Sequence, residues 1–185
     1  AVDERYRTCN EYCGLPVYAT AKLTEKIDKN KVGLFAPIMW NHLNRQRRDV
    51  YERLSSEGFQ FVNLISPTAV IHSGTVIGNN CWISYGVIIG SNARIGNHVF
   101  IMAKGWVAHY SIIENHCFLA GASMIAGKTI VGEQSFIGIN AMIFDGVTIG
   151  RKCLVGACCH VKRSLPDYSL VKTSSDSMRT VQYDA

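Results

Sequence analysis

IGNHVFIMAKGWVAHYSIIENHCFLAGASMIAGKTIVG (residues 95–132) returns to an aliphatic residue every six positions, and that period decides the fold. Ile95, Ile101, Val107, Ile113, Leu119, Ile125 and Val131 carry it here. Read outward, the series runs from Ile65 to Val161, seventeen positions of Ile, Leu or Val without a break. From Ile71 onward a small or modest residue stands two places before each aliphatic, as at Ala93, Ser111 and Cys117, and glycine commonly follows it, as at Gly96, Gly132 and Gly138. A period of six matches neither a helix at 3.6 nor a plain strand at 2, so the repeat itself is the fold signal. Six residues supply one short strand and one bend, and three such sides close a triangular coil of eighteen. The aliphatic and the small residue point inward. Coils stack as parallel strands about 4.8 Å apart, so sixteen hexapeptides make about five coils and a prism on the order of 25 Å long. Residues eighteen apart in sequence become neighbours in space.

This pattern resembles the left-handed parallel β-helix of hexapeptide-repeat proteins. The hand is implied by that resemblance, since crossovers between parallel strands are ordinarily right-handed. Residues 1–64 read differently. GLPVY (14–18) looks like a turn entering a strand, and KVGLFAPIM (31–39) is a strand candidate. An amphipathic helix over 41–57 follows, with Val50, Tyr51 and Leu54 as its apolar side, stopped by Gly58; Phe59 to Ile65 alternates as a strand feeding the first coil. Strand–helix–strand is the latter part of a small α/β, Rossmann-like domain without a first strand and glycine-rich loop. The expected division is a partial α/β domain at 1–64, the β-helix at 65–163 and a C-terminal tail at 164–185.

Composition fits one repeat domain with an appendage. No apolar run approaches the ~18 residues of a membrane span, and the charged start AVDERYR is no secretory signal. Of the seven cysteines, Cys81, Cys117, Cys153 and Cys159 take the small inward position of the repeat. The first three are two coils apart in one column, roughly 9.6 Å by the strand spacing, beyond disulfide reach. Buried thiols imply a reducing, cytoplasmic setting. Cys9 and Cys13 lack a second pair for zinc. The net charge of +5 does not call for nucleic acid, because Arg45, Arg47 and Arg48 share their segment with Asp49, Glu52 and Glu57, as on a solvated helix face of mixed charge.

Six histidines remain. His72 and His160 lie at the ends of the prism and His42 on the N-terminal helix, where surface roles suffice. His98 and His116 are eighteen apart and stack on one outer face. His109, two places past inward Val107, should face outward in WVAHYSIIENHCF (106–118). One coil later stands Gly127, where no side chain shields the backbone N–H. A γ-type carbonic anhydrase-like zinc site needs two histidines close in sequence and a third two coils away; His72 and His109 differ by 37 and His98, His109 and His116 lack the spacing, so no metal is expected.

The stretch from LISPTAVIHSG (64–74) through GACCHVKRSLPD (156–167) is similar to the bacterial sugar O- and N-acetyltransferases of the sialic acid O-acetyltransferase (NeuD-like) family. GLPVY, the Asn44–Arg45 pair and GFQFVNLISPTAVI (58–71) resemble the end of that family's first domain. The resemblance implies a trimer that transfers an acetyl group from acetyl-CoA to an amine or hydroxyl of a sugar, often nucleotide-linked. It implies His109 as base, in a V-x-H-x-x-x-I setting, and the Gly127 amide as donor to the acetyl carbonyl. GIN (138–140) matches the family's G-x-N segment and puts Ile139 and Asn140 in the coenzyme A groove; GACCHV (156–161) puts Ala157 beside them. Three features depart from the family. Tyr110 replaces the acid that often follows the base, Phe118 replaces a second histidine nine residues on, and the terminal G-x-P-A-K is missing.

The residues suit that chemistry. Acyl transfer from a thioester needs a base for the acceptor's proton, which histidine supplies near neutral pH, and a fixed donor for the oxyanion. Lys152, Lys162 and Arg163 are candidates for the coenzyme phosphates. Trp82, Tyr85, Trp106, Tyr110 and Phe118, outside the inward positions, would be covered by closing a homotrimer. The alternative is a non-catalytic trimeric scaffold, supported by Tyr110, Phe118 and the lacking first motif.

Overall fold

The computed structural model of the chain describes residues 10–173 and 179–182. Cys9 and the AVDERYR start lie outside them. Chain order begins with a hairpin of β1 (Glu11–Tyr12) and β2 (Leu15–Pro16). A 3-10 turn at Thr20–Lys22 leads into α1 (Leu23–Lys26), then β3 (Gly33–Leu34), α2 (Arg45–Ser56) and β4 (Gln60–Phe61). β3 and β4 pair in parallel, Gly33 with Gln60, so the expected strand–helix–strand unit is present but with two-residue strands. Most of KVGLFAPIM is irregular, and GLPVY belongs to the hairpin rather than to the parallel pair. Leu23, Leu54 and Phe59 form a small core between these pieces.

From Leu64 onward the chain is a mostly β, parallel β-helix of the left-handed hexapeptide type. Two-residue strands pair at intervals of eighteen: Arg94 with Ile112, Phe100 with Phe118, Trp106 with Met124. Strands stack five deep on one face and six deep on another; the third face carries six coil strands and is extended by Ser169–Lys172, which pairs in parallel with Leu154–Val155. The inward series is dry. Ile83, Ile89, Ile101, Ile113, Leu119 and Ile125 have no exposed surface, each worth about 1.5–3 kcal/mol of apolar burial. Ile65 and Ile71, at 40% and 39% exposed, and the half-buried Ile77 are the exceptions, because no earlier coil stacks on them. Cys81, Cys117, Cys153 and Cys159 are free and fully buried, and burial pushes the Cys81 and Cys117 thiols up to about 11 and about 12. At most corners one residue turns through the left-handed region, as do Asn92, Tyr110, Lys128 and Asn140; asparagine takes that conformation at little cost and tyrosine less readily.

The outward positions of the three faces have different fates. One face carries Trp82, Phe100, Phe118 and Phe136, and the N-terminal third folds back over it. Phe35 stacks on Phe100 with ring centroids 5.9 Å apart, and Trp40 lies 4.5 Å from Phe136. Phe118 is therefore buried within its own chain, and Trp82 packs at the edge of the same cluster, so neither awaits a second copy. Arg47 corrects the solvated-face expectation for α2. It is completely buried, donates to the carbonyls of His98, His116 and Cys117, and lies 3.9 Å above the Phe100 ring. His98 and His116 do stack on one face, but under α2 rather than toward solvent.

Candidate active site

His109 stands just past the strand Trp106–Val107, at the corner between the face that carries Trp106 and the face that carries Ile112. The next coils place Gly127 and then Asp145 at the same corner, since the three are spaced by eighteen. Backbone bonds hold the column: Lys128 N–H donates to the His109 carbonyl and Gly146 N–H to the Gly127 carbonyl, each 3.0 Å. On the preceding coil Gly90 meets the His109 backbone so closely that a Cβ there would stand 2.6 Å from the His109 nitrogen. The corner thus fixes the His109 backbone from both sides while its side chain stays exposed.

The imidazole lies across Gly127. A Cβ on Gly127 would stand 2.6 Å from His109 Cε1, 2.9 Å from Nε2 and 3.1 Å from Nδ1, so glycine is what lets the ring occupy this place. Tyr110, at the position of the missing acid, meets the ring edge-on at 5.8 Å between centroids. The Gly127 amide departs from expectation. No side chain of its own shields it, but its N–H donates to Asp145 Oδ1 at 2.9 Å. Sequence reasoning passed over Asp145, although its place eighteen after Gly127 was countable.

Ile139, Asn140 and Ala157 occupy a different corner. Ile139 and Ala157 are eighteen apart and exposed, and Asn140 turns beside them with its side chain directed to Cys158 Sγ at 3.9 Å. Between this corner and that of His109 lies the whole Trp106 face, with Ile88, Trp106, Met124 and Met142 as its outward residues. Within one chain the candidate base and the candidate coenzyme residues are therefore separated by a face. A cleft of about 490 Å³ opens at the far end of the His109 corner, lined by His160, Lys162, Arg163, Ser164, Leu165 and Val171. It collects two of the three cations singled out in the sequence, several coils from His109.

The buried histidine pair offers no second active site. His98 and His116 approach Nδ1 to Nδ1 at 3.2 Å, so one ring donates to the other. Burial first, then the Arg47 charge, holds His98 down to about 2 and His116 to about 4, which keeps both rings neutral at physiological pH. Among the described residues no group of three or more His, Cys, Asp or Glu side chains is placed to hold a metal ion. No helix among them is long and apolar enough to cross a membrane.

Comparison with known proteins places this corner in context. The family described as "Hexapeptide repeat of succinyl-transferase" matches residues 69–103 and 128–161. PerB from Caulobacter crescentus, solved in complex with CoA and GDP-perosamine, is 30% identical, the match covering 93% of this chain and 81% of that one with a TM-score of 0.80. The chain belongs to the hexapeptide-repeat acetyltransferase family. It is an acyltransferase of that family. Two further structures share the fold at lower identity. The acetyltransferase domain of PglB from Neisseria gonorrhoeae superposes with a TM-score of 0.83 at 22% identity, covering 95% of this chain and 83% of that one. WeeI from Acinetobacter baumannii gives 0.80 at 20% identity, with 92% and 80% covered. No curated protein matches the chain in sequence.

Proposed function

We propose that this acyltransferase moves an acetyl group from acetyl-CoA to an amine or hydroxyl of a nucleotide-linked sugar, with His109 as general base. The observation that carries the proposal is the His109–Gly127 corner: an exposed imidazole laid across a residue that has no side chain. PerB, solved with CoA and GDP-perosamine, supports the choice of donor and acceptor class. The motifs around His109 and GIN (138–140) support the NeuD-like branch.

Transfer breaks the carbon–sulfur bond of the thioester and forms a carbon–nitrogen or carbon–oxygen bond to the sugar. His109 takes the proton that the acceptor loses and returns it to the departing thiolate. Gly127 N–H donates to the carbonyl oxygen as negative charge grows on it, a preorganised donor of the kind that contributes about 2.7–4 kcal/mol. Because the base and Ile139, Asn140 and Ala157 sit on different corners, the groove is completed by a neighbouring copy whose coenzyme corner abuts this base corner. A closed trimer satisfies that requirement three times over and covers Ile88 and Trp106, each 41% exposed. Lys162 and Arg163 at the end of the same corner fit the coenzyme phosphates, and Lys152 is a third candidate. Residues 1–64, as the end of a sugar-nucleotide domain, carry the acceptor side; 65–163 form the catalytic β-helix, and 164–185 follow as a tail. Four buried free thiols favour a reducing, cytoplasmic setting.

Calorimetry with acetyl-CoA and an acetyl-transfer assay on a panel of nucleotide-linked amino sugars test this together. Wild type and His109→Ala are expected to bind the donor alike, with transfer lowered 10²–10⁴-fold in the variant. Absence of coenzyme binding by the wild type would remove the proposal and favour the scaffold reading.

A further inference from the structure

The Gly127 amide is the donor that the proposed reaction needs, and it is already taken. Asp145 Oδ1 accepts from it at 2.9 Å. One N–H directs one strong hydrogen bond along its axis, so a thioester carbonyl oxygen and the Asp145 oxygen compete for one place. The competition is sharper during reaction, because the negative charge that develops on the carbonyl oxygen would meet a carboxylate.

Side-chain caps of this type recur in the prism, which makes the difference at Asp145 informative. Asn97 Oδ1 accepts from the Asn79 amide at 3.0 Å and Asn115 Oδ1 from the Asn97 amide at 2.8 Å. Asp167 Oδ1 accepts from the Arg151 amide at 2.8 Å. These three lie along another corner, away from His109, and stitch coil to coil. Asp167 is also anchored through its second oxygen by the Arg151 guanidinium at 3.0 Å. Asp145 has no such anchor: among the described residues no cation lies within 4.0 Å of it. It is exposed, and the next residue, Gly146, turns at φ +68 with nothing within 4 Å of where its Cβ would stand. Glu114 Oε2 caps the Glu133 amide in the same way at 2.9 Å, but on the other corner; Asp145 is the one whose cap lies on the amide beside the candidate base.

We propose that Asp145 is a positioning residue that competes for the acyl site: its side chain caps the Gly127 amide in the free enzyme and swings out when the thioester carbonyl binds. This rests on the acetyl-donor reading above. The cap keeps the amide satisfied while the site is empty, and displacing it lowers affinity for the acylated donor specifically. CoA itself, which ends in a thiol and lacks the thioester carbonyl, makes no demand on that amide.

The ratio of the dissociation constants of CoA and acetyl-CoA therefore tests the idea, measured by calorimetry for wild type, Asp145→Ala and Asp145→Asn. Asp145→Ala is expected to bind acetyl-CoA about 3–10-fold more tightly than wild type, the range of one net hydrogen bond, with CoA affinity changed less than twofold. Asp145→Asn keeps an Oδ1 acceptor with less charge and should fall between them. It also carries the test if Asp145→Ala, checked by thermal melting, does not fold. An unchanged CoA to acetyl-CoA ratio in folded variants overturns the role of Asp145 and leaves the donor reading standing. Failure of the wild type to bind either compound overturns both.

Discussion

Arg47 donates from Nη2 to the His98 carbonyl at 2.7 Å, tying α2 to a face of the β-helix fifty-one residues further along the chain. Its Nη1 reaches the carbonyls of His116 and Cys117 at 3.1 and 3.2 Å, so one guanidinium bridges two successive coils. Burial holds this group well below its usual value, at about 9, still charged at neutral pH. Around it the neutral His98 and His116 rings, Tyr51 and Phe100 form a nearly dry shell. The N-terminal third is thus a lid glued on by one buried cation as much as by its aromatics.

Replacing Arg47 with Met should therefore cost stability, because the buried His98 and His116 carbonyls lose their donor and the Cys117 carbonyl keeps only the Phe100 amide. About 2–4 kcal/mol is expected at 1–3 kcal/mol per strongly unsatisfied group, partly recovered by relaxation and water. Arg47→Lys should recover little of it, since one ammonium on a flexible stem does not reproduce a planar fork aimed at two coils. Urea unfolding midpoints measure both. Equal midpoints for Met and wild type would mean that the aromatics alone hold the lid.

Acid should loosen the same interface. His98 and His116 have native values depressed to about 2 and about 4 from 6.5, so between pH 6.5 and 4 the unfolded chain binds protons that the native pair refuses. The pair's contribution is complete above pH 6.5 and is lost as pH falls, at up to about 1.4 kcal/mol per pH unit for each excluded proton. The thermal midpoint should fall steadily from pH 7 to pH 4.5. In His98→Phe/His116→Leu that slope should be markedly shallower, and an unchanged slope would assign acid sensitivity to other groups.

How far these features were legible in the sequence depends on their range. The hexapeptide series fixed every inward residue because each repeats one local instruction, a short strand and a bend. Counting by eighteens likewise placed His109 above Gly127. Asp145, one coil beyond Gly127, lies in the same column, but its bond to the Gly127 amide depends on a side-chain rotamer that spacing does not specify. Arg47 was illegible for another reason: nothing in RQRRDVYERL distinguishes an arginine that faces solvent from one that enters a face of stacked carbonyls. That outcome depends on which face the lid covers, a tertiary choice. Phe118 follows from the same choice. A position that holds a histidine in some relatives here fills an aromatic stack with Phe136 at 5.6 Å, far around the prism from His109.

The Trp106 face should be the contact between copies. Trp106→Glu puts a charge at the centre of an outward row whose neighbours are Ile88 and Met124, and burying an unpaired carboxylate there is prohibitive. Light scattering should give a trimer for wild type and smaller species for the variant, with acetyl transfer falling in parallel because each groove needs two chains. A wild-type monomer would show that one chain must supply the whole site.

Gly127→Ala separates the ring's position from its chemistry. The new methyl would stand 2.6 and 2.9 Å from Cε1 and Nε2 of His109, closer than real Cβ contacts allow, and 3.1 Å from Nδ1, so the exposed imidazole must move outward by several tenths of an ångström or more. The amide N–H, the base and the Asp145 cap all remain, and the β-helix core is untouched. A displacement approaching 1 Å in a reacting group costs about 10²-fold in rate. Acetyl transfer should therefore fall about 10–100-fold in kcat, less than in His109→Ala, while the dissociation constant for CoA stays within about threefold. A parallel loss of coenzyme binding would show instead that the methyl blocks the groove. Wild-type kcat would show that the base does not act from this position over Gly127.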